Sequence, residues 1–318
     1  MNHPLSFHAN GKILLTGEYL VLKGAEALAV PLVVGQGMII EKGGKSNLLS
    51  WSAGDTEGTW FEGEYRLPDL ELVFATDRNV AGRLKGILLA ARDLNPVFLR
   101  DNSGLKVVTR LEFNRNWGFG SSSTLTSLVA QWASIDPMNL HRLISKGSGY
   151  DVACSMTDNA IIFSLKDGNP KIAGVDFNPP FDHLMQLIYL DSKQDSDLEV
   201  EAFRKMAERD LSGEIRRISE ISLLLSTVKD TETFIALLLE HEEIIGKVLG
   251  RETVKNRLFP DFEGVVKSLG AWGGDFVLAI SARGSAYTAE YFRKKSLGVV
   301  IPYSSLARLP FEKEMITL

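Results

Sequence analysis

The chain has 318 residues, of which 45% are hydrophobic and 24% are charged, and its formal net charge is −5. This composition is typical of a globular protein with one large or two medium domains, and it argues against nucleic acid or an anionic membrane as a partner. The single cysteine, Cys154, excludes an intrachain disulfide framework and fits a reducing compartment. The start of the chain does not resemble a signal peptide, and no apolar run approaches membrane-spanning length, so we expect a cytoplasmic protein.

Apolar spacing and turn residues predict mixed strands and helices through the first half of the chain. Two strands separated by a Lys23-Gly24 turn come first, and short strands broken by glycines follow as an antiparallel meander. The predicted strands are 12–21, 27–34, 105–113, 160–165 and 171–177, the meander is 36–65, and the helices are 79–93 and 124–134.

A break in the pattern at Asn178-Pro179-Pro180 predicts a boundary between two domains, 1–178 and 179–318. The second half also mixes strands with helices, so the predicted fold class is α+β. The strands predicted here are 183–190, 276–281 and 298–301, and the helices are 197–210, 212–228, 231–248, 261–269 and 283–294.

Residues 117–123, Trp-Gly-Phe-Gly-Ser-Ser-Ser, form a glycine and serine loop between a predicted strand and a predicted helix. Gly118 and Gly120 let the backbone curl and a ligand approach closely, while the hydroxyls and the unpaired N–H groups of a helix start attract an anion. The loop therefore predicts a phosphate site, in which a hydroxyl could also help to hold magnesium. It is neither a GxxxxGK[ST] loop nor a complete GxGxxG loop, and a plain helix cap is the alternative.

Two further glycine-containing stretches are residues 11–22, GKILLTGEYLVL, and residues 267–275, KSLGAWGGD. Together with residues 118–123, GFGSSS, they resemble in order and rough spacing the three motifs of the GHMP kinases, the superfamily of galactokinase, homoserine kinase, mevalonate kinase and phosphomevalonate kinase. The resemblance spans nearly the whole chain. Residues 147–153, GSGYDVA, align with the region of the family's catalytic aspartate and resemble a bacterial subgroup with a Gly-Tyr-Asp-Ile-Ala string.

The resemblance implies a two-domain GHMP kinase fold. The N-terminal domain would be ribosomal protein S5 domain 2-like and bind ATP, the C-terminal domain would be ferredoxin-like, and the active site would lie in a cleft between them. It also implies ATP and Mg²⁺ as cofactors and a small molecule as substrate. The sequence does not indicate an oligomeric state.

Two residues are the catalytic candidates that the resemblance implies. Asp151 would act as the base or orient the acceptor, although an Asp after Gly-Tyr is also a helix cap. Lys12 would contact the acceptor or the phosphate, and a solvated lysine at a strand edge is the alternative.

The binding residues implied by the resemblance fall into two groups. On the nucleotide side, Ser121 and Ser122 would donate to the phosphates, Ser122 would also bind the metal, and the other members of the group are Trp117, Gly118, Gly120 and Ser123. On the substrate side the candidates are Glu18, Tyr19, Lys85, Gly270, Gly273 and Gly274. The alternatives are structural: Glu18 could orient Lys12 or only shape a turn, the glycines could only form turns, and Lys85 could lie with Arg83 on a solvated helix face.

The chain departs from the family pattern at several positions. Trp117 and Trp272 stand where small residues are usual and could narrow the site, stack on adenine or stack on each other. Asn114 and Asn116 replace a proline and a glycine. Leu140 and His141 lie near the position of the glutamate that is a second magnesium ligand in mevalonate kinases. His241 is interpreted as part of a solvated helix face, and Cys154 as a small buried residue rather than a nucleophile.

The expected activity is an ATP-dependent small-molecule kinase. Gly17-Glu18-Tyr19 and Gly273-Gly274-Asp275 are similar to phosphomevalonate kinases, which favours phosphomevalonate slightly over mevalonate. An alcohol acceptor would need Asp151 to take its proton, whereas a phosphate acceptor is already anionic and needs cations. Candidate cations are Lys12, Arg83, Lys85, Lys146 and Arg283. A sugar or sugar-phosphate kinase, or a non-catalytic ligand-binding protein of the same fold, are the alternatives.

Overall fold

The computed structural model describes residues 3–192, 196–206, 209–270, 272 and 274–308. The chain forms two compact units. The first consists of Met1–Gly11 and Val34–Met156, and the second of Lys12–Val33 and Thr157–Leu318. These bounds do not coincide with the predicted division at residues 178 and 179, because an N-terminal segment belongs to the same unit as the C-terminal part of the chain.

Strands and helices are mixed in both units, which confirms the predicted α+β class. The strands are β1 (Leu5–Leu14), β2 (Ala27–Lys42), β3 (Leu48–Asp55), β4 (Gly58–Arg66), β5 (Glu71–Ala75), β6 (Leu105–Leu111), β7 (Ala160–Lys166), β8 (Asn169–Val175), β9 (Gln186–Tyr189), β10 (Val265–Ser268), β11 (Phe276–Ile280) and β12 (Val300–Pro302). The helices are α1 (Arg78–Leu94), α2 (Ser121–Ala133), α3 (Pro137–Ile144), α4 (Tyr150–Ser155), α5 (Ser196–Met206), α6 (Ser212–Leu225), α7 (Thr231–Leu249), α8 (Val254–Leu258), α9 (Ser285–Lys294) and α10 (Tyr303–Leu306). Short 3-10 helices cover Leu20–Lys23 and Asp182–Leu184.

The first unit contains a mixed sheet in the order β5, β4, β3, β6 and the later part of β2. β3 and β6 pair in parallel, and the other neighbours pair antiparallel. Side chains of β6 alternate, with Leu105, Val107 and Leu111 buried. This period of two is the pattern of a sheet with one face covered.

Helices α1, α2 and α3 pack against one another in the first unit and share its core. Helix α1 begins at Asp77, whose side chain accepts hydrogen bonds from the N–H groups of Asn79 and Val80. Leu84 and Leu88 lie one turn apart on its buried face, as the helical period requires. The core between these helices and the sheet is therefore what positions the starts of α2 and α4.

The second unit contains a four-stranded antiparallel sheet in the order β10, β11, β9, β12. Every residue of β10 and β11 is buried, so the sheet is covered on both faces at these strands. Val266 packs with residues of α8 and α9 in one hydrophobic cluster. Its neighbour Lys267 must point to the opposite face, because side chains alternate along a strand. The first part of β2 pairs with β7 and β7 with β8, also within this unit.

Two sequence predictions of secondary structure are wrong. Residues 261–269 were expected to be helical, but residues 265–268 form β10. The two adjacent valines, Val265 and Val266, suit a buried strand. The expected strand at 12–21 starts earlier and ends at Leu14, because Gly17 and Tyr19 adopt positive φ and turn the chain. The sequence pattern also missed α3, which begins at an Asp136 cap followed by a proline.

Within the described ranges, none of the helices is both long enough and apolar enough to cross a membrane.

Candidate active site

The glycine and serine loop leads directly into α2 in the first unit. Gly120 is the residue before the helix and has a φ of 96°, and no side chain caps the first turn. Helices α1, α3 and α7 differ, because the carboxylates of Asp77, Asp136 and Asp230 accept hydrogen bonds from their first-turn N–H groups. The start of α2 therefore keeps its N–H groups and its positive dipole end available for an anion.

The three serines at the start of α2 have different environments. Ser123 is buried, and its hydroxyl donates to the carbonyl of Gly120 at 2.9 Å. Ser122 is exposed and Ser121 is partly exposed. The next residue, Thr124, is buried and donates to the side-chain oxygen of Gln36 at 2.7 Å. Ser123 and Thr124 thus fix the loop from inside, while Ser121 and Ser122 are the solvent-accessible residues of this turn.

Trp117 and Phe119 anchor the other side of the loop. The Phe119 ring is buried and makes edge contacts with Trp117 and with Phe113, at centroid distances of 5.6 Å in both cases. Trp117 is partly buried, and Gly118 between the two aromatic residues is exposed. The loop therefore has an aromatic base, and its glycine backbone faces outward.

Asp151 lies in the first turn of α4, which begins after a second glycine with positive φ. Gly149 has a φ of 85°, and a Cβ added there would lie 2.5 Å from Cε of Met138 and 3.0 Å from the His141 ring. The His141 ring nitrogen Nε2 lies 3.3 Å from the carbonyl oxygen of Gly147. Helix α3 therefore supports the loop that leads to Asp151, which is itself partly exposed.

Helices α2 and α4 pack together, and the hydroxyls of Ser127 and Ser155 share a buried hydrogen bond of 2.7 Å. The structure thus brings the helix that starts at Ser121 beside the helix that carries Asp151. Lys85 is partly exposed and Arg83 is exposed, both on α1 of the same unit.

The turn at residues 16–19 belongs to the second unit, and it meets the segment after β10. Tyr19 has a φ of 61°, an uncommon value for a bulky residue. Its hydroxyl donates to Glu199 at 3.2 Å and accepts from the amide of Trp272 at 3.0 Å. Burial, followed by the nearby Glu199 carboxylate, raises the pKa of Tyr19. Two stretches that the sequence assigned to the substrate side therefore contact each other.

The segment after β10 carries the remaining substrate-side candidates. Gly270 has a φ of 68°, and Gly274 is buried. Gly273 lies outside the described residues. Trp272 is buried in the second unit, where its ring would lie 3.2 Å from a Cβ added at Gly246 of α7. The indole thus fills the space that the missing side chain of Gly246 leaves.

Glu18 belongs to a cluster of four buried ionisable residues in the second unit. The exposed fractions are 1% for Glu18, 0% for His241, 2% for Glu242 and 0% for Lys267. The Lys267 ammonium donates to Oε1 of Glu18 at 2.5 Å and to the Ser268 carbonyl at 2.7 Å. It lies 3.7 Å from Oε1 of Glu242, beyond hydrogen-bonding distance. Nε2 of His241 accepts from the Gly17 amide at 3.0 Å and lies 3.2 Å from Oε2 of Glu18.

The protonation states of the cluster follow from burial and from the one lysine. Burial acts to raise the pKa of Glu18, but the ammonium of Lys267 outweighs it and holds that pKa below its usual value. Burial and the charge of Lys267 lower the pKa of His241, so the ring is neutral and its Nε2 can accept from Gly17. Burial raises the pKa of Glu242 to about 8. At neutral pH the cluster is therefore one ion pair beside a neutral imidazole and a protonated carboxyl.

The structure corrects the interpretation of His241, which does not lie on a solvated helix face. The alternative of a solvated edge position for Lys12 is also excluded, since Lys12 is only 8% exposed. The carboxylate of Glu18 is enclosed by Lys267 and His241. Cys154 is buried, as predicted.

The sequence analysis missed Lys267, His241 and Glu242 as members of a site. A signal for His241 was present, because it lies three residues after Leu238 and four before Ile245 on the apolar face of α7. For Lys267 the signal was its place between buried residues of a short strand.

No group of three His, Cys, Asp or Glu residues suited to holding a metal occurs in the part of the chain that the structure describes. The loop before α2 still fits magnesium that arrives with phosphates, since this ion keeps several waters and needs few protein oxygens. The exposed hydroxyl of Ser122 is such an oxygen.

No protein-family model and no curated protein matches the sequence. Solved structures do match it along nearly its whole length. Methanococcus jannaschii mevalonate kinase aligns with a TM-score of 0.69 and 16% identity, covering 98% of this chain and 99% of that chain. Lactococcus lactis galactokinase complexed with galactose aligns with a TM-score of 0.66 and 12% identity, covering 97% of this chain and 96% of that chain. Streptococcus pneumoniae phosphomevalonate kinase in complex with phosphomevalonate and AMPPNP aligns with a TM-score of 0.65 and 16% identity, covering 92% of this chain and 97% of that chain.

The chain has the GHMP kinase fold. This confirms the fold that the three sequence motifs implied. The GHMP kinases that match differ in their acceptors, and their TM-scores against this chain are close together, so the fold alone does not select an acceptor.

The loop before α4 yields a stability prediction for this GHMP fold. Gly149→Ala should lower the free energy of unfolding by about 1–3 kcal/mol, because alanine is strained at positive φ and its Cβ would meet Met138 and His141. Gly168→Ala is the matched control, since Gly168 has a φ of 74° with open space around a Cβ. Urea unfolding of both variants separates backbone strain from packing on α3. Equal losses of unfolding free energy in the two variants would show that packing of the new Cβ against α3 adds nothing to the cost of Gly149→Ala.

The buried carboxyl of Glu242 yields a prediction of how the free energy of unfolding depends on pH. Glu242 has a pKa of about 8 in the folded chain against a usual 4.5. Between these values the folded chain holds one proton more than the unfolded chain, so stability falls as pH rises, by about 1.4 kcal/mol per pH unit. From pH 6.5 to pH 8 the wild-type chain should lose about 2 kcal/mol from this source. Glu242→Gln should remove that loss.

Denaturant titrations at both pH values test this prediction. Glu240→Gln is the control on the same helix, because hydrogen bonds from Arg217 lower the pKa of Glu240 and it stays ionised in this range. Its stability should follow that of the wild-type chain with pH. Parallel curves for the wild-type chain and Glu242→Gln would show that Glu242 is not protonated in the folded state.

Proposed function

We propose that this chain is an ATP-dependent kinase that transfers a phosphoryl group to a small molecule. The observation that carries the proposal is the start of α2. There a glycine with positive φ replaces a side-chain cap, and the first two residues of the helix are solvent-accessible serines. An uncapped helix start with added hydroxyl donors suits the phosphates of a nucleotide. The neighbouring helix α4 carries Asp151 in its first turn, which supplies a carboxylate for the acceptor.

The nucleotide would be held by the backbone of the loop at residues 118–120 and by the first turn of α2. Ser121 and Ser122 would donate to phosphate oxygens, and Ser123 would hold the loop in shape through its bond to Gly120. Trp117, on the aromatic base of the loop, would line the nucleotide side. Ser122 would also provide an oxygen for Mg²⁺, which when bound neutralises charge on the phosphates.

The acceptor would be oriented by Asp151 and by the cation of Lys12. Phosphoryl transfer requires an acceptor oxygen held in line and charge neutralised around the moving group. For an alcohol acceptor the carboxylate of Asp151 would take the hydroxyl proton. We assign Tyr19 and the glycines at 270, 273 and 274 to the substrate side, and Lys85 as a further cation on that side.

Among acceptors we favour the isoprenoid pair, mevalonate and phosphomevalonate. Support comes from Gly17-Glu18-Tyr19 and from Gly273-Gly274-Asp275, which are similar to phosphomevalonate kinases. Structural neighbours crystallised with phosphomevalonate and with R-mevalonate add to this support. A sugar is the second candidate, since the neighbour complexed with galactose aligns over 97% of this chain.

Release of ADP from ATP with magnesium is the direct test of this proposal. The full-length chain would be assayed with mevalonate, phosphomevalonate, homoserine, galactose and several sugar phosphates in turn. We expect ADP release above the ATP-only rate with one of the two isoprenoid acceptors. Release only with galactose or a sugar phosphate would replace our choice of acceptor. If no acceptor in the panel gives ADP release while ATP still binds, a ligand-binding protein would be favoured over a kinase for these acceptors.

The role of Asp151 can be tested separately. With an alcohol acceptor, Asp151→Asn should lower turnover about 10²–10⁴-fold, because the amide cannot accept the hydroxyl proton. With a phosphate acceptor the loss should be far smaller, since the attacking oxygen is already anionic. The dissociation constant of ATP, measured by calorimetry, should change little in either case.

Asp158→Asn provides the control for this measurement. Asp158 is a surface carboxylate in ion-pair contact with Arg308, and its loss should leave turnover unchanged. Near wild-type turnover of Asp151→Asn with an alcohol acceptor would show that Asp151 is not the base.

A further inference from the structure

Four consecutive residues of the turn at 16–19 are each fixed by a different distant part of the second unit. The Thr16 hydroxyl shares a hydrogen bond of 2.7 Å with Ser222 of α6, and the Gly17 amide donates to His241 of α7. The Glu18 carboxylate accepts from Lys267 of β10. The Tyr19 hydroxyl accepts from the Trp272 amide. The conformation of the turn is therefore set by residues more than 200 positions away in the sequence.

The backbone of this turn needs such support. Gly17 has a φ of 89°, and a Cβ there would lie 2.5 Å from Cβ of Ala27, so only glycine fits. Tyr19 has a φ of 61°, which a bulky side chain adopts only when its surroundings hold it there. Glu18 lies between these two residues. Whatever holds Glu18 therefore also holds the backbone on both sides of it.

Lys267 makes the one contact of the four in which both partners are charged. Charge-assisted hydrogen bonds are about twice as strong as neutral ones. The ammonium is fully buried and also donates to the Ser268 carbonyl, so its position within β10 is fixed. Since Glu242 is protonated at neutral pH, it does not compete with Glu18 for the ammonium.

A buried ion pair adds little net stability compared with a well-packed apolar pair. Stability alone therefore gives no reason for a lysine and a glutamate at these positions. A fixed geometry gives a reason, because the pair determines where the Glu18 backbone lies.

We propose that Lys267 is a positioning residue: through Glu18 it sets the turn at residues 16–19, and so places the Tyr19 hydroxyl on the Trp272 amide in the loop that follows β10. It does not touch the substrate. The effect on catalysis rests on the proposed function, because it requires Tyr19 and this loop to lie on the substrate side, whereas the effect on the turn does not.

The experiment uses the double variant Lys267→Met/Glu18→Gln. This change removes both charges together, so no unpaired buried charge remains to unfold the chain. Hydrogen–deuterium exchange would be followed by mass spectrometry in peptides covering residues 16–20 and 269–274. We expect exchange of the Gly17 and Trp272 amides to become about tenfold faster or more, while peptides from β11 keep their protection.

Two further variants make the result specific. Lys267→Arg keeps the charge and should restore much of the protection that Lys267→Met alone loses. Glu240→Gln, which breaks the exposed ion pair between Arg217 of α6 and Glu240 of α7, should leave both peptides unchanged. Wild-type exchange at both amides in the double variant would overturn the proposal. Loss of protection in β11 as well would also overturn it, because the pair would then act on general stability.

The kinetic test separates this inference from the proposed function. If the chain phosphorylates an acceptor, the double variant should lower kcat/KM for that acceptor about 100-fold, as expected for a misplaced site, with ATP affinity nearly unchanged. If the wild-type chain shows no kinase activity but the double variant still exchanges faster at these amides, the positioning role is upheld and the kinase proposal is rejected. Faster exchange with wild-type kcat/KM would reject the placement of this turn on the substrate side.

Discussion

The ion pair between Lys267 and Glu18 is the constraint that fixes the turn at residues 16–19 in the second unit. A fully buried ammonium is tolerated only with an anionic partner in contact, and Glu18 is that partner. Because Lys267 lies in a strand whose other face packs on α8 and α9, its side chain can point only toward α7 and the turn. The requirement that this charge be neutralised away from water therefore links β10 to the turn, while the packing of the sheet itself rests on its apolar residues.

In the first unit, glycine replaces side-chain capping at the starts of α2 and α4. Gly120 and Gly149 both precede a helix with positive φ and leave its first turn without a side-chain cap. A side-chain cap stabilises a helix by about 1 kcal/mol, so its absence has a cost that the surrounding contacts must offset. The hydroxyls of Ser123 and Thr124, and the ring of His141, supply such contacts from beneath the loops.

The sequence was informative where structure depends on neighbouring residues. The α+β class, most helices, and the glycine loops before α2 and α4 follow from local periodicity and turn chemistry. It failed where the deciding contact is distant. The buried state of His241 depends on a turn 224 residues earlier, and residues 265–268, within the predicted helix 261–269, form a strand because β11 pairs with them. The two compact units also rest on distant contacts, since 12–33 joins the C-terminal part of the chain.

The Trp272 ring packs against Gly246 of α7, a position that has no side chain. The large ring in the glycine loop occupies the place of a side chain that α7 lacks. A small residue at 272 would leave a void beside Gly246. A larger residue at 246 would meet the backbone carbonyl oxygen of Arg251, 2.9 Å from an added Cβ, as well as the Trp272 ring. Glycine is therefore required at 246 by the backbone that follows α7, and the tryptophan at 272 fills space that no side chain on α7 could occupy.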